Sequence, residues 1–188
     1  TEVAKCDSVA GYTVFAAHSI IGNISAPGGV VGSNGDLFAD GITAARVSAG
    51  GSLYDNFGAV TTTGDVTVNG HAIATFFGSI GGDLNVGRDA NLTADVGGSI
   101  RAGGYVKTSG DTTGGIHAGS TIASTGTVGG GQFPFSAANP ASHAHVALPD
   151  GHTFASGGPS YVLNTFESKT LAPGSYGNLA FIGSNTVN

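Results

Sequence analysis

The chain has 188 residues, a hydrophobic content of 40% and a formal net charge of −6, with six Lys and Arg against twelve Asp and Glu. That is enough apolar material for one buried core, and too little basic charge for a surface that grips nucleic acid or an anionic membrane. Only 10% of residues are charged while Gly reaches 34, a usage far from the roughly 25% charge of an ordinary globular domain.

No stretch is long and apolar enough to span a membrane as a helix. The chain starts at Thr1 and has no Met, so it is expected to be a mature form whose secretion signal has been cleaved. Scarce Lys, Met and Trp with abundant Gly, Ala, Ser, Thr and Asn point to an extracellular or cell-surface protein. The single Cys6 cannot close an internal disulfide, which leaves an inert thiol or a link between two chains.

Residues 1–11 are polar and read as a cap or a loose lead into the fold. From Tyr12-Thr13-Val14-Phe15-Ala16 onward, short alternating runs separated by glycines replace any helical periodicity. Asn34-Gly35-Asp36 and Tyr54-Asp55-Asn56 have the residue types of corners that accept a left-handed backbone. Thr61 to Val68 reads as strand, and Phe76-Phe77 is a bulky doublet of which one ring must face outward.

Between Gly78 and Gly130 the large apolar residues recur mostly at six-residue steps, as Ile80-Val86-Leu92, Ile100-Val106 and Ile116-Ile122-Val128. Six is too long for one helical turn and too regular for a loop. It is the spacing of a chain that turns a corner after every short strand and sends a side chain inward on each side. A longer beat, Gly-x-apolar, starts at Gly22, Gly35, Gly51, Gly64, Gly82, Gly98, Gly114 and Gly131, with gaps of 13, 16, 13, 18, 16, 16 and 17 residues. Repetition of this kind predicts an all-β, single-chain parallel β-helix, or β-solenoid; a β-sandwich or jelly roll is the alternative.

At Gly129-Gly130-Gly131 the beat stops, and Pro134 and Pro140 forbid regular coils through the excursion that follows. Leu148-Pro149-Asp150-Gly151-His152 is a hairpin signal between His145-Val146-Ala147 and Thr153-Phe154-Ala155. From Leu171 the solenoid idiom resumes. The expected organisation is a solenoid with its N-terminal cap over residues 1–130, then an irregular excursion, hairpin and terminal strands over residues 131–188 packed on it.

Gly64-Val68 (GDVTV), Gly81-Gly87 (GGDLNVG) and Leu171-Leu179 (LAPGSYGNL) resemble bacterial surface proteins with polymer-forming or choice-of-anchor type repeats and, more distantly, the bactofilins. The resemblance covers about two thirds of the chain and implies a parallel β-helix used in self-assembly or at the cell envelope, with no catalytic residue carried over. The segment 131–160 departs from that pattern.

Few residues have the chemistry of a reactive site. Among six histidines, His143-Ala144-His145 is the one close pair, and alternate positions on a strand face the same way, so these two are the candidate metal ligands. Two ligands are too few, and surface or interface histidines are the alternative. Asp36, Asp40, Asp65, Asp83, Asp89 and Asp95 lie beside glycines or at turns, where carboxylates either hold calcium or cap the turns. Glu2 and Glu167 are the only glutamates, no nucleophile motif stands out, and the chain is expected not to be an enzyme or to need a cofactor.

Two uses remain. One is an exported structural subunit that forms a homo-oligomer or polymer through its strand edges, with Tyr12 and Val14 at one end and Leu179, Phe181, Ile182 and Val187 at the other. The other is a binding or adhesion module that presents a flat solenoid face to a surface polysaccharide or to ice. Thr61-Thr62-Thr63 and Thr112-Thr113 cluster without repeating at the coil period, which counts against ice.

Overall fold

A three-residue strand sends its first and third side chains to the same face, and this chain uses that unit on each side of a three-sided coil. The structure is a computed structural model and describes residues 9–55, 58–74, 78–147, 161–163, 168–169, 179–181 and 186–187. The chain divides into two compact units, Thr1–Leu148 and Pro149–Asn188.

The first unit is a β-solenoid of parallel strands. Side I stacks 14–16, 31–33, 47–49, 66–68, 84–86, 100–102, 116–118 and 132–133. Side II stacks 20–22, 37–39, 53–55, 72–74, 90–92, 106–108 and 122–124. Side III stacks 24–26, 42–44, 60–62, 79–80 and 95–96, then the bridge residues Thr112 and Val128. In the first coils single strands, Ile20–Ser33 and Leu37–Ala49, run through all three sides, with register shifts between Gly22 and Asn23 and between Ala26 and Val30. A 3-10 turn at Val9–Gly11 leads in, with the Tyr12 N–H donating to the Val9 carbonyl at 3.0 Å.

The inward residues are those the six-residue steps select. Ile80, Val86, Leu92, Ile100, Val106 and Ile116 are fully buried, and Ile122 and Val128, on the last coil, pack half-buried against the same core. Most strands bury a pair, such as Leu37 with Ala39 or Ile100 with Ala102, in the pattern buried–outward–buried. Where the third position is a hydroxyl, it turns back on the corner: Thr62 Oγ1 donates to the Gly64 carbonyl at 2.9 Å and Ser124 Oγ to the Gly126 carbonyl at 3.2 Å.

The glycine beat marks corners on every side, which explains its uneven gaps. Gly22 precedes side III, Gly35 and Gly51 precede side II, and Gly64, Gly82, Gly98 and Gly114 precede side I. The 13-residue gaps are therefore jumps between sides, and the 16s and the 18 are whole coils. Gly131 breaks the rule, because Gln132 pairs with Ile116 and leaves Phe133 in the outward position opposite His117.

Most described corners do without left-handed backbone, that at Asn34-Gly35-Asp36 included, and Asn56 of Tyr54-Asp55-Asn56 lies outside the described residues. Among the described residues only Gly22, Gly28 and Gly131 and the non-glycines Phe135 and Asn139 have positive φ, and Tyr54 and Asp55 belong to a strand, Leu53–Asp55. The need for glycine is instead one of distance. A Cβ on Gly103 would sit 2.2 Å from the Gly87 carbonyl oxygen, and one on Gly119 would sit 2.1 Å from that of Gly103. Successive coils touch through bare backbone at their corners.

Beyond Gly131 the excursion is not loose. Residues 141–147 run as an extended strap without sheet pairing, stitched to side I, so the first unit extends past the expected boundary at Gly130 to Leu148. His145-Val146-Ala147 lies in that strap; its expected hairpin partner, Thr153 to Ala155, lies outside the described residues, as do Cys6 and Phe76-Phe77. In the second unit Tyr161–Leu163 pairs in parallel with Leu179–Phe181, and Ser168–Lys169 with Thr186–Val187. Both pairs are 18 residues apart, 161 to 179 and 168 to 186, which is the coil period again.

Backbone contact at corners yields a direct test. Gly103→Ala forces a methyl into the Gly87 carbonyl and is expected to destabilise by about 1–3 kcal/mol, whereas Gly11→Ala, with nothing within 4 Å of its Cβ position, is expected to change stability by less than about 0.5 kcal/mol. Urea midpoints of the two variants measure the difference.

Candidate functional site

The parallel ladder leaves one outward residue per strand, so each side of the solenoid displays a row at the coil spacing. On side III the row is Ser25, Thr43, Thr61, Ser79, Asp95, Asp111 and Thr127. Register pairs align Ser25 with Thr43, Thr43 with Thr61, Thr61 with Ser79 and Ser79 with Asp95. Hydrogen bonds continue the line: Asp95 Oδ1 accepts from the Asp111 N–H at 2.8 Å, and Asp111 Oδ1 from the Thr127 N–H at 2.7 Å. All seven residues are exposed. At about 4.8 Å per coil the row is about 29 Å long.

One flank of the row is equally bare. Two residues further along stand Thr63, Gly81, Gly97, Thr113 and Gly129, all exposed. No described residue of the row or this flank is basic or aromatic, so the surface is hydroxylated and neutral over its first four coils and carboxylate-bearing over the next two.

The other sides are different. Side II shows Ile21, Phe38, Tyr54, Ile73, Asn91, Lys107 and Ala123; the Phe38 and Tyr54 rings stack on each other at 5.1 Å and 9°, while Ile21 is 80% exposed. Side I is crossed by the strap. Asn69 Oδ1 accepts the His143 N–H at 2.7 Å while its Nδ2 donates to the His143 carbonyl at 2.9 Å. Asn34 holds Val146 in the same double manner, at 2.9 and 2.8 Å, and Asn85 accepts the Ala141 N–H at 3.2 Å. An amide side chain presents a donor group beside an acceptor group, and here it imitates a neighbouring strand.

The strap separates the two candidate metal ligands. His143 is buried, its Nδ1 2.7 Å from Ser48 Oγ and its Nε2 3.3 Å from Asn34 Oδ1, while His145 is exposed. The expectation that both imidazoles face one way fails because 143–145 is not a sheet strand: the His143 ring lies on side I against Ser48 and Asn34, while His145 is exposed. Among the described residues no three His, Cys, Asp or Glu side chains gather as a metal site. His71 Nδ1 lies 3.2 Å from Asp89 Oδ2, and His117 stacks on Phe133 at 4.6 Å.

The aspartates beside glycines cap corners of the next coil. Asp36 Oδ1 accepts the Ser52 N–H at 2.7 Å, Asp65 Oδ1 that of Asp83 at 2.8 Å, Asp83 Oδ1 that of Ser99 at 2.7 Å, and Asp89 Oδ1 that of Tyr105 at 2.9 Å. Where the corner carries serine, the hydroxyl takes the same place, as Ser52 Oγ does for the His71 N–H at 3.0 Å. Asp40, the sixth of the set, is exposed. The Ser99 N–H holds the Asp83 carboxyl below the usual carboxylate range, with Arg101 at 2.8 Å adding to this and burial opposing it.

The assembly candidates are spread over both units. Tyr12 tilts against Phe15 at 5.0 Å and packs over Gly32, and Val14 pairs with Val31 and joins the core. Leu179 and Phe181, expected on an uncovered edge, pair on one side with Tyr161 and Leu163, and Val187 pairs with Lys169. Ile182 lies outside the described residues.

The architecture is that of a three-sided parallel β-solenoid with a strapped side and a hydroxylated side. Comparison with protein-family models, with curated proteins and with solved structures finds no match to this chain. No helix among the described residues is long and apolar enough to cross a membrane.

Two outcomes test the corner and the clamp. Because the Asp83 carboxyl is held low in the folded state, its contribution is present above the unfolded value near 3.9 and is lost as pH falls through the lower folded value. Asp83→Asn is therefore expected to remove that part of the acid-side loss, seen as a flatter urea midpoint between about pH 5 and pH 2. Asn69→Ala leaves the buried His143 backbone without its partner and is expected to cost about 1–3 kcal/mol, with limited proteolysis cutting residues 137–147 first.

Proposed function

We propose that this protein is an extracellular or cell-surface binding module that lays side III against a neutral, hydroxyl-rich polymer. The observation that carries the reading is the row Ser25, Thr43, Thr61, Ser79, exposed and in register on four consecutive coils. Rigid hydroxyls spaced by backbone pairing offer donors and acceptors at fixed intervals, and their order is set before binding, which lowers the entropic cost of engaging an extended ligand. Small neighbours such as Gly81 and Gly97 keep anything from standing in front of them.

An insoluble neutral polysaccharide fits this row better than ice. Asp95 and Asp111 continue the row as exposed carboxylates, and a charged group is strongly hydrated, whereas sugar hydroxyls donate to carboxylates readily. The same carboxylates, with no basic residue in the row, disfavour anionic polymers. Asp95 and Asp111, the two carboxylates of the row, each accept a backbone N–H of the next coil, a corner-capping task that supports recognition without turnover as the reading.

Self-assembly into a filament remains the second reading, supported by the strand pairs of the second unit, where Leu179–Phe181 pairs with Tyr161–Leu163 in parallel and Val162 is 61% exposed. It is tested by particle size. The first reading is tested by co-sedimentation with insoluble neutral glucans. Thr61→Tyr, which raises a bulky ring in the middle of the row, is expected to lower the bound fraction at least about tenfold, a loss of about 1.4 kcal/mol, with the thermal midpoint unchanged. Wild-type protein that stays in the supernatant with every neutral glucan, or Thr61→Tyr binding as well as wild type, overturns the proposal.

A further inference from the structure

The strap is held by groups that read any copy of the same segment. Asn34 and Asn69 each bind both backbone groups of one strap residue, Asn85 binds a third, and Ser48 receives the His143 ring. All these contacts fall within residues 141–146, and Val146 is completely buried. The docking site is therefore a groove along side I that is complete without the hinge leading into it.

That hinge is strained. It runs from Phe135 to Pro140 between the last coil, where the Phe135 N–H donates to the Ser120 carbonyl at 2.9 Å and the Ser136 N–H to the Ala118 carbonyl at 3.0 Å, and the Ala141 contact with Asn85. The only described non-glycine residues with left-handed backbone, Phe135 at φ 53° and Asn139 at φ 34°, are both in it. Left-handed backbone is unfavourable for a bulky aromatic. Asn139 also precedes Pro140, whose ring pushes the preceding residue toward extended conformations. Residues 137–140 have no sheet pairing. Closing the strap onto its own solenoid thus imposes a bend at Asn139-Pro140 that the sequence resists, and straightening that step relieves it.

We propose that two copies of this chain exchange their straps, each laying residues 141–147 along side I of the other. A strained short hinge joined to a self-contained docking segment favours such exchange. Every contact in the groove is kept, and the gain is the relaxation of Asn139 ahead of Pro140, while Phe135 stays anchored to its own last coil. The exchanged dimer carries two hydroxyl rows, which raises avidity for a polymeric surface wherever both can engage it. The exchange itself requires no ligand, so its failure would leave the reading of side III untouched.

The full chain concentrated to the millimolar range and analysed by size exclusion with light scattering is expected to give a dimer that grows with concentration and reverts slowly on dilution. Phe135→Gly with Asn139→Gly, which accepts the closed bend without strain, is expected to lower the dimer-to-monomer ratio about tenfold or more. Connectivity is read with Ser48→Cys and His143→Cys in a Cys6→Ser background, treated with a short bis-maleimide: the dimer peak is expected to be cross-linked between chains and the monomer peak within one chain. A chain that stays monomeric up to its solubility limit, or a dimer cross-linked only within chains, overturns the proposal. Should the cysteine variant not fold, a wild-type dimer whose abundance is unchanged by the two glycines overturns it equally.

Discussion

The close approach of successive coils at their corners is the constraint from which the rest of this structure follows. Parallel strands stack about 4.8 Å apart, and where the chain turns there is no room for a side chain between one corner and the next. The Cβ positions of Gly87, Gly103 and Gly119 all lie within 2.2 Å of a carbonyl oxygen of the coil below. Glycine is required there by contact, and its high content reflects order. The backbone N–H groups beside those corners also need acceptors. Asp36, Asp65, Asp83, Asp89, Asp95 and Asp111 supply them from the preceding coil, with Ser19, Ser52 and Ser99 in the same role. Most of the acidic residues in the described solenoid thus have a structural task before any functional one.

A stack built this way has identical interior rules on its three sides and different exteriors. Inward positions are committed to the core, so only the middle residue of each strand varies freely. Side I spends two of its outward polar groups, Ser48 and Asn85, on the strap, helped by Asn34 and Asn69 at the corner. Side II stacks apolar rings along the axis, Phe38 on Tyr54. Side III alone keeps an unbroken exposed row, and its hydroxyls inherit their alignment from backbone pairing without any bonding of their own. Rigidity of the scaffold and order of the candidate binding surface have one cause.

The strap adds a different kind of interaction to this one-dimensional design. A solenoid coil touches only its neighbours, so its coils can fray independently. Asn34, Asn69 and Asn85 lie on different coils and bind one continuous segment, which couples the opening of any one coil to the others. Burial of Val146 and of the His143 ring strengthens that coupling. The cost is borne by the hinge, in the backbone of Asn139 ahead of Pro140.

Sequence alone determined the coil and its interior. Apolar residues at six-residue steps, broken by glycines, have no reading as helix, and Ile80 through Val128 point inward as that spacing requires, because burying large apolar side chains is what holds the coil together. What the tertiary structure decided is everything that depends on how coils align. The hydroxyl row could not be seen as a repeat, since its intervals are 18, 18, 18, 16, 16 and 16 residues and its members are Ser, Thr or Asp; the row exists only once register pairs Ser25 with Thr43 and Ser79 with Asp95. The same holds for the strap, where His143 is bound by a residue 74 positions earlier, and for the corner glycines, whose neighbour is a carbonyl one coil away. Local pattern encodes which way a side chain faces; only stacking decides which other residue it meets there.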